Sequence, residues 1–358
     1  MNTTIKQIAE KANVSRGTVD RVIHGRYGVD PDIRTRVLAI MKELNYHPNA
    51  MARALKGVQN PVKLGAIVPN RANPFYLDIH AGIDQAAKTV AAYGIEVIKL
   101  EMEKMTPENQ IAYIDQLEQM QVRGIMLVAI DHDSVRARIN ALPDSIPVVT
   151  FNSDIPGTKR LCFVGNDHIT AGRVAGRMMS IVLQKPGKVA LMISQSDLLA
   201  HVERTRGFRQ VFEEIRPDVE FIGPLMTYES ETLAYQVAAQ LLKQEPELAG
   251  IYVAGGGQQA AARALAQSGR AGQVKMVCHD MLPETVKYVK SGVVDFTIGQ
   301  EAFVQGYMPV EILYEYHMFG RRPRLDTLFT RIDIRMQDNV SIKGYEVFTG
   351  LYSMERSY

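Results

Sequence analysis

Two groups of side chains in this sequence have the types and spacing to do recognition chemistry. The first is "VSRGTVDRVIHGR", Val14–Arg26, where Arg16, Arg21 and Arg26 face a single carboxylate, Asp20. Its apolar positions Val19, Val22 and Ile23 fall at helical spacing, so Ser15, Arg16, Gly17, Thr18 and Arg21 are left on the opposite face. An arginine in a first helical turn can read a guanine edge bidentately, and serine, threonine and further arginines suit phosphate oxygens, which set register without carrying sequence information. Gly17 costs helix propensity and offers no side chain, which points to close approach of another surface. The second group is scattered: aromatic, carboxylate, amide and guanidinium side chains recur just after apolar runs, in "NRANPFY", "IDHD", "FNSD", "HVERTRGF", "AGGGQQ", "HDM" and "GQE". Rings that stack on C–H faces, with charged partners for hydroxyls, suit a polyhydroxylated ligand.

The elements that must position these residues follow from periodicity. Ile5, Ile8, Ala9 and Ala12 form one helical stripe, Ser15 is a candidate N-cap for the next helix, and a third helix from Pro31 carries Ile33, Val37, Ile40, Met41 and Leu44. Three short helices around one apolar core fit a helix-turn-helix, whose second helix enters the DNA major groove. The charge distribution agrees: residues 1–60 hold 10 Lys and Arg against 5 Asp and Glu, and the rest of the chain holds 31 against 34. A basic head on a near-neutral body is the electrostatic footprint of nucleic-acid binding. Pro48 can open a short helix from Asn49 to about Lys56, ended by Gly57; Leu55 is a large apolar group on an otherwise small face and suits insertion between base steps of the minor groove.

From Val62 the texture becomes alternating strand and helix. "VKLGAIVPN", "IEVIKL", "GIMLVAI" and "PVVTF" make a first run of strands, with helices near 76–93 and 107–122; "KVALMIS", "VEFIG", "GIYVAG", "VKMVCHD" and "VDFTIGQ" make a second, with helices after Ala200 and near 230–244 and 258–268. The expected fold is a small all-α head plus an α/β body of two doubly wound parallel-sheet lobes, with the ligand at the strand ends in the cleft between them. The expected division is head 1–47, linker 48–60, body 61–345 and tail 346–358. Cys162 and Cys278 sit in apolar runs and read as buried thiols. The eight histidines lack ligand spacing, and no nucleotide, metalloprotease or nucleophile-elbow motif is present, so no enzyme activity, cofactor or metal is expected. No apolar run reaches membrane length and the first residues lack a secretion signal, so a cytoplasmic location is expected, with double-stranded DNA and a small molecule as partners.

The stretch "TIKQIAEKANVSRGTVDRVIHG…VDPDIRTRVLAIMKELNYHPNAMARALKG" closely resembles the head and hinge of the LacI/GalR family of bacterial transcription regulators, with "IAEKANVS", "ELNYHPN" and "A--L" at the family's spacings. The body, from about 62 to 340, is similar to that family's effector domain and to ribose-type periplasmic sugar-binding proteins. The resemblance implies a homodimeric repressor on a palindromic operator, controlled by a sugar, polyol or sugar phosphate. It places base reading on Arg16 and Gly17, hinge contacts on Asn49, Ala52 and Arg53, and the minor-groove wedge on Leu55. Effector contacts fall on Phe75, Tyr76, Asp131, Asn152, Arg204, Asp280 and Gln300. Two departures stand out. Asp20 replaces a serine and must turn toward Arg16 or Arg21, or else weaken a phosphate contact. Gly255 falls where many relatives carry an effector-binding asparagine, and a glycine run there favours either close backbone approach or a helix N-terminus open to an anion, which brings in a sugar phosphate or another small polar metabolite as effector. A transport component and a DNA-binder whose body only dimerises are the competing readings; the first needs a secretion signal and has no use for the basic head.

Overall fold

A computed structural model of the chain describes residues 4–23, 28–44, 61–71, 73–194 and 198–341. Arg26, Asn49, Ala52, Arg53, Leu55 and the tail lie outside the described residues.

The head is three helices, α1 Ile5–Ala12, α2 Arg16–Ile23 and α3 Pro31–Glu43. Each begins where a short polar side chain satisfies the free N–H groups of a first turn. Thr4 caps α1 in a reciprocal box with Gln7, and Asn13 ends that helix in the left-handed region at φ 51°. Ser15 Oγ accepts from the Thr18 N–H at 3.1 Å, which caps α2 as the sequence predicts. Asp30 Oδ1 accepts from Asp32 N at 2.9 Å at the start of α3. Ile8, Ala9, Ala12, Val19, Val22, Val37 and Ile40 form the buried core, with Ile5, Ile23, Ile33, Met41 and Leu44 packed against it.

The body has two six-stranded sheets. The first runs, in spatial order, β11 (Thr327–Phe329), β5 (Cys162–Gly165), β4 (Val148–Phe151), β3 (Gly124–Leu127), β1 (Val62–Pro69) and β2 (Ile95–Met102). The second repeats that order with β12 (Asp333–Arg335), β10 (Phe296–Gly299), β9 (Lys275–His279), β8 (Leu248–Val253), β6 (Lys188–Ile193) and β7 (Glu220–Met226). In β1, Leu64, Ala66 and Val68 enter one core cluster and Ile67 enters the cluster on the other face, so the strand is apolar throughout because both faces are buried. Cys162 and Cys278 lie in these cores, and burial pushes both thiols up to about 12.

Three features differ from the sequence reading. The first lobe does not end at "PVVTF": β5 follows, and helix His168–Val182 then carries the chain into the second lobe. Four helices were not anticipated, at Asp133–Ala141, His168–Val182, Pro283–Lys290 and Ala302–Phe319. The last strand, β12, pairs antiparallel with β10 at an otherwise parallel sheet.

Each lobe holds one helix pair in unusually close contact. In the first, a Cβ on Gly82 would lie 2.1 Å from the Phe303 carbonyl oxygen, and one on Gly306 would lie 2.1 Å from that of Ile79. In the second, a Cβ on Gly172 would lie 2.0 Å from the Arg204 carbonyl oxygen, and one on Gly207 would lie 2.1 Å from that of Ile169. Only glycine lets these backbones approach so closely, and the second pair fixes the helix that carries Arg204.

Candidate functional site

On the head, the exposed side of α2 presents Ser15, Arg16, Gly17 and Arg21, with Thr18 half-buried and hydrogen-bonded to Ser15 through its hydroxyl at 2.9 Å. The Ser15–Thr18 pair fixes the first turn, and Arg16 projects from it. Gly17 is not in a left-handed conformation, and an added Cβ would meet only Ser15 Oγ at 3.7 Å. Nothing among the described residues therefore requires glycine at this position. Asp20 is half-buried and engaged within the structure.

The second site lies between the lobes. Asn73, Phe75, Tyr76, Asn152 and Ser153 reach it from the first lobe; His201, Arg204, Glu229, Gly255, Gly256, Asp280 and Gln300 reach it from the second and from the crossing at β10. Phe75 and Tyr76 open helix Phe75–Ala91 with their rings edge to face, 5.2 Å apart. Asn152 and Asp280 follow β4 and β9 at φ 62° and 75°, left-handed positions that are strained for residues other than glycine and that aim these side chains off the strand ends.

Arg204 is 3% exposed. Its Nη1 donates to the Ala254 carbonyl at 3.0 Å, its Nη2 donates to Gln300 Oε1, and the Gln300 amide in turn donates to Asp280 Oδ1. Gln300 is thus oriented by a cation on one side and a carboxylate on the other. Burial, opposed by Arg204 and the Gln300 hydrogen bond, pushes Asp280 up to about 6, with Glu229 and Asp78 adding to the rise. Burial, with Glu229 and Asp280 nearby, keeps the Tyr76 phenol protonated. Arg204 Nε and Ser153 Oγ are buried without a hydrogen-bond partner among the described residues, and groups of that kind in a cleft are ready for a ligand. The Asn73 amide donates to Glu229 Oε2 across the mouth at 2.7 Å. The described residues leave about 20 Å³ there, room for about one water.

Known proteins match both the head and the body. Residues 4–49 match the family of bacterial regulatory proteins of the lacI type, and residues 64–320 match the periplasmic binding protein domain. The chain belongs to the LacI family. It is 28% identical to the HTH-type transcriptional regulator DegA of Bacillus subtilis over 60% of this chain and 62% of DegA. It is 31% identical to catabolite control protein A of Staphylococcus epidermidis over 43% of this chain and 45% of that protein. The match thus spans less than two thirds of either relative. Among solved structures, the sugar-binding protein of a sugar ABC transporter from Bacillus halodurans is 26% identical with a TM-score of 0.68, covering 78% of this chain and 99% of that one. These relatives are regulators and a sugar-binding protein. No helix among the described residues is long and apolar enough to cross a membrane.

Within this LacI-type body, six of the seven residues expected at the effector site come together: Phe75, Tyr76, Asn152, Arg204, Asp280 and Gln300. Asp131 does not. Its carboxylate is held by Arg136, five residues on, and it stands outside the cavity lining. Of the two roles open to the glycine run, the structure favours close approach at Gly255 and Gly256. The Gly256 N–H donates to Ser194 Oγ at 2.8 Å, and the Glu229 carboxylate stands against Gly256. Glu229 itself was missed. It follows the edge strand β7 and reaches the cleft through its contact with Asn73 of the other lobe, which no local pattern encodes.

Proposed function

We propose that this protein is a ligand-controlled, sequence-specific DNA-binding transcription regulator, in keeping with its family, acting in the cytoplasm as a repressor. The single observation that carries this reading is the pairing, in one chain, of a capped helix presenting exposed arginines with an interlobe cleft that keeps buried donors unpaired. Two chains pair through their bodies and place two heads on the half-sites of a palindromic operator. Arg16 reads a base edge, Ser15, Thr18 and Arg21 hold phosphates, and Gly17 allows close approach. The linker 48–60 contributes Asn49, Ala52 and Arg53 as contacts, and Leu55 enters the minor groove at the operator centre. A polyhydroxylated effector, such as the sugars implied by the relatives, binds between the lobes and moves the first lobe. DNA and effector affinities are then linked reciprocally.

Selection of binding sites from random duplex DNA, at stated salt and with or without pooled sugars, tests this reading. An enriched palindrome whose recovery changes with a sugar is expected. Enrichment that no sugar alters would reduce the body to a dimerisation module, and no enrichment under either condition would refute the reading. Leu55→Ala should weaken specific binding far more than non-specific binding; equal losses would remove the wedge.

A further inference from the structure

The glycines at the end of β8 provide room rather than an anion cradle. Neither Gly255 nor Gly256 has a left-handed backbone, yet a Cβ on Gly255 would lie 2.6 Å from His201 Nε2, and one on Gly256 would lie 2.6 Å from Glu229 Oε2. An imidazole and a carboxylate occupy the space that side chains at these positions would fill. The charge inventory of the cleft follows. Among the described residues, two carboxylates, Glu229 and Asp280, line it together with one strong cation, Arg204. Arg204 has committed Nη1 to Ala254 and Nη2 to Gln300, which leaves Nε as its unpartnered buried donor. The backbone N–H of Gly256 is committed to Ser194. A phosphate dianion here would meet the single guanidinium, already bonded to Ala254 and Gln300, and would face two carboxylates of its own sign. Hydroxyl groups would find the reverse: carboxylate oxygens to donate to, with Arg204 Nε and Ser153 Oγ to accept from.

We propose that the cleft selects an uncharged polyhydroxy compound over its phosphate ester, and that Glu229, admitted by Gly256, is the discriminating residue. The proposal rests on the reading of the cleft as an effector site and names the class of effector. Glu229 is exposed at the rim, so Glu229→Gln removes a charge without disturbing the core, and glutamine keeps an acceptor for Asn73.

The test is calorimetric titration of the full chain with matched pairs at constant ionic strength: D-ribose and D-ribose 5-phosphate, D-glucose and D-glucose 6-phosphate, myo-inositol and its monophosphate, with inorganic phosphate as a further probe. At least one parent compound should bind, with its ester and inorganic phosphate weaker by about tenfold or more, and Glu229→Gln should narrow that ratio by about tenfold. An ester that binds as well as its parent, or a ratio that Glu229→Gln leaves unchanged, overturns the proposal while leaving the cleft an effector site. Failure of every compound to bind at millimolar concentration counts instead against the effector-site reading itself.

Discussion

Gly255→Ala adds one methyl group where the backbone permits it, so its effect reports a single contact. The new carbon would lie 2.6, 2.8 and 3.0 Å from Nε2, Cε1 and Cδ2 of His201, against an ordinary separation of about 3.5–4.0 Å. The ring is 7% exposed, and it stands on a helix whose backbone is held against Gly172 of its neighbour. The buried ring must give way to the methyl group, and overpacking of this kind costs about 1–3 kcal/mol. For a body of this size that lowers Tm by roughly 2–8 °C. His201→Ala carries its own cost, including the polar partner of the ring, but it vacates the space. In the double variant the methyl group occupies part of that space, so the two changes together should cost less than their sum by about 1 kcal/mol or more. Urea unfolding of the four proteins, compared at constant m, measures this coupling. Costs that add within about 0.5 kcal/mol would show that His201 does not depend on the glycine.

Asp280→Asn gives a prediction in pH. The folded carboxyl is held near 6, above its ordinary 3.8, so the folded state keeps a proton that the unfolded chain releases, and stability from this group falls as pH rises from about 4 to 6. His168 and His279, lowered by burial, act in the opposite direction by losing stability as pH falls through their unfolded range. The difference between wild type and Asp280→Asn isolates the carboxyl: the variant should gain on the order of 1–3 kcal/mol between pH 5 and pH 7.5 relative to wild type, and a pH-independent difference would refute the assignment. Gly17→Ala should stabilise the head by up to about 1 kcal/mol yet weaken operator binding, since an added Cβ meets only Ser15 Oγ at 3.7 Å; unchanged operator affinity would show that Gly17 does not face DNA. Arg16→Ala should relax base preference at one position per half-site by about 1–3 kcal/mol, read by competition among single-base operator variants; equal losses on all of them would make Arg16 a phosphate contact.

The head was legible because its information is local. The spacing of Ile5, Ile8, Ala9 and Ala12 and the cap at Ser15 are each set within a few residues, and they return unchanged in the structure. The central strands were legible because burial on both faces makes them continuously apolar. Helix Ala302–Phe319 was not, because it is apolar on nearly every side and contains Pro309, so it shows no stripe and carries a breaker. The strands β11 and β12 are three residues each, too short for a period to show. The same contrast holds in the cleft. Strand-end position found Asp280 and Gln300, but no rule of position could show that Asp131 is occupied by Arg136, or that Glu229 is admitted by a glycine from β8 and met by Asn73 from the opposite lobe.

The cleft connects directly to the places where the chain passes between lobes. These crossings lie at Asn166 after β5, at Gln300–Glu301 after β10, and at Thr330–Arg331 between β11 and β12. They are joined to one another: Asn166 Nδ2 donates to Thr330 Oγ1 at 2.9 Å, and Thr330 Oγ1 donates to the Gln300 carbonyl at 3.0 Å. Gln305 Nε2 donates to that same carbonyl at 2.7 Å, while Gln305 Oε1 accepts from Asn152 at 3.0 Å. Gln300 therefore lines the cleft with its side chain and anchors the crossings with its backbone, and Asn152 lies one hydrogen bond further out. A ligand that engages either amide acts on groups that set the angle between the lobes, and it shifts their equilibrium by as much as it prefers one angle over the other. In the proposed mechanism the first lobe offers that change the shortest covalent route to the head. Val62 opens β1 directly after the linker from the head, and Phe75 and Tyr76 begin the helix that follows β1. The aromatic wall of the cleft and the start of the body thus belong to one strand–helix unit, and in the proposed mechanism a ligand that draws in Phe75 and Tyr76 moves the point to which the head is tied.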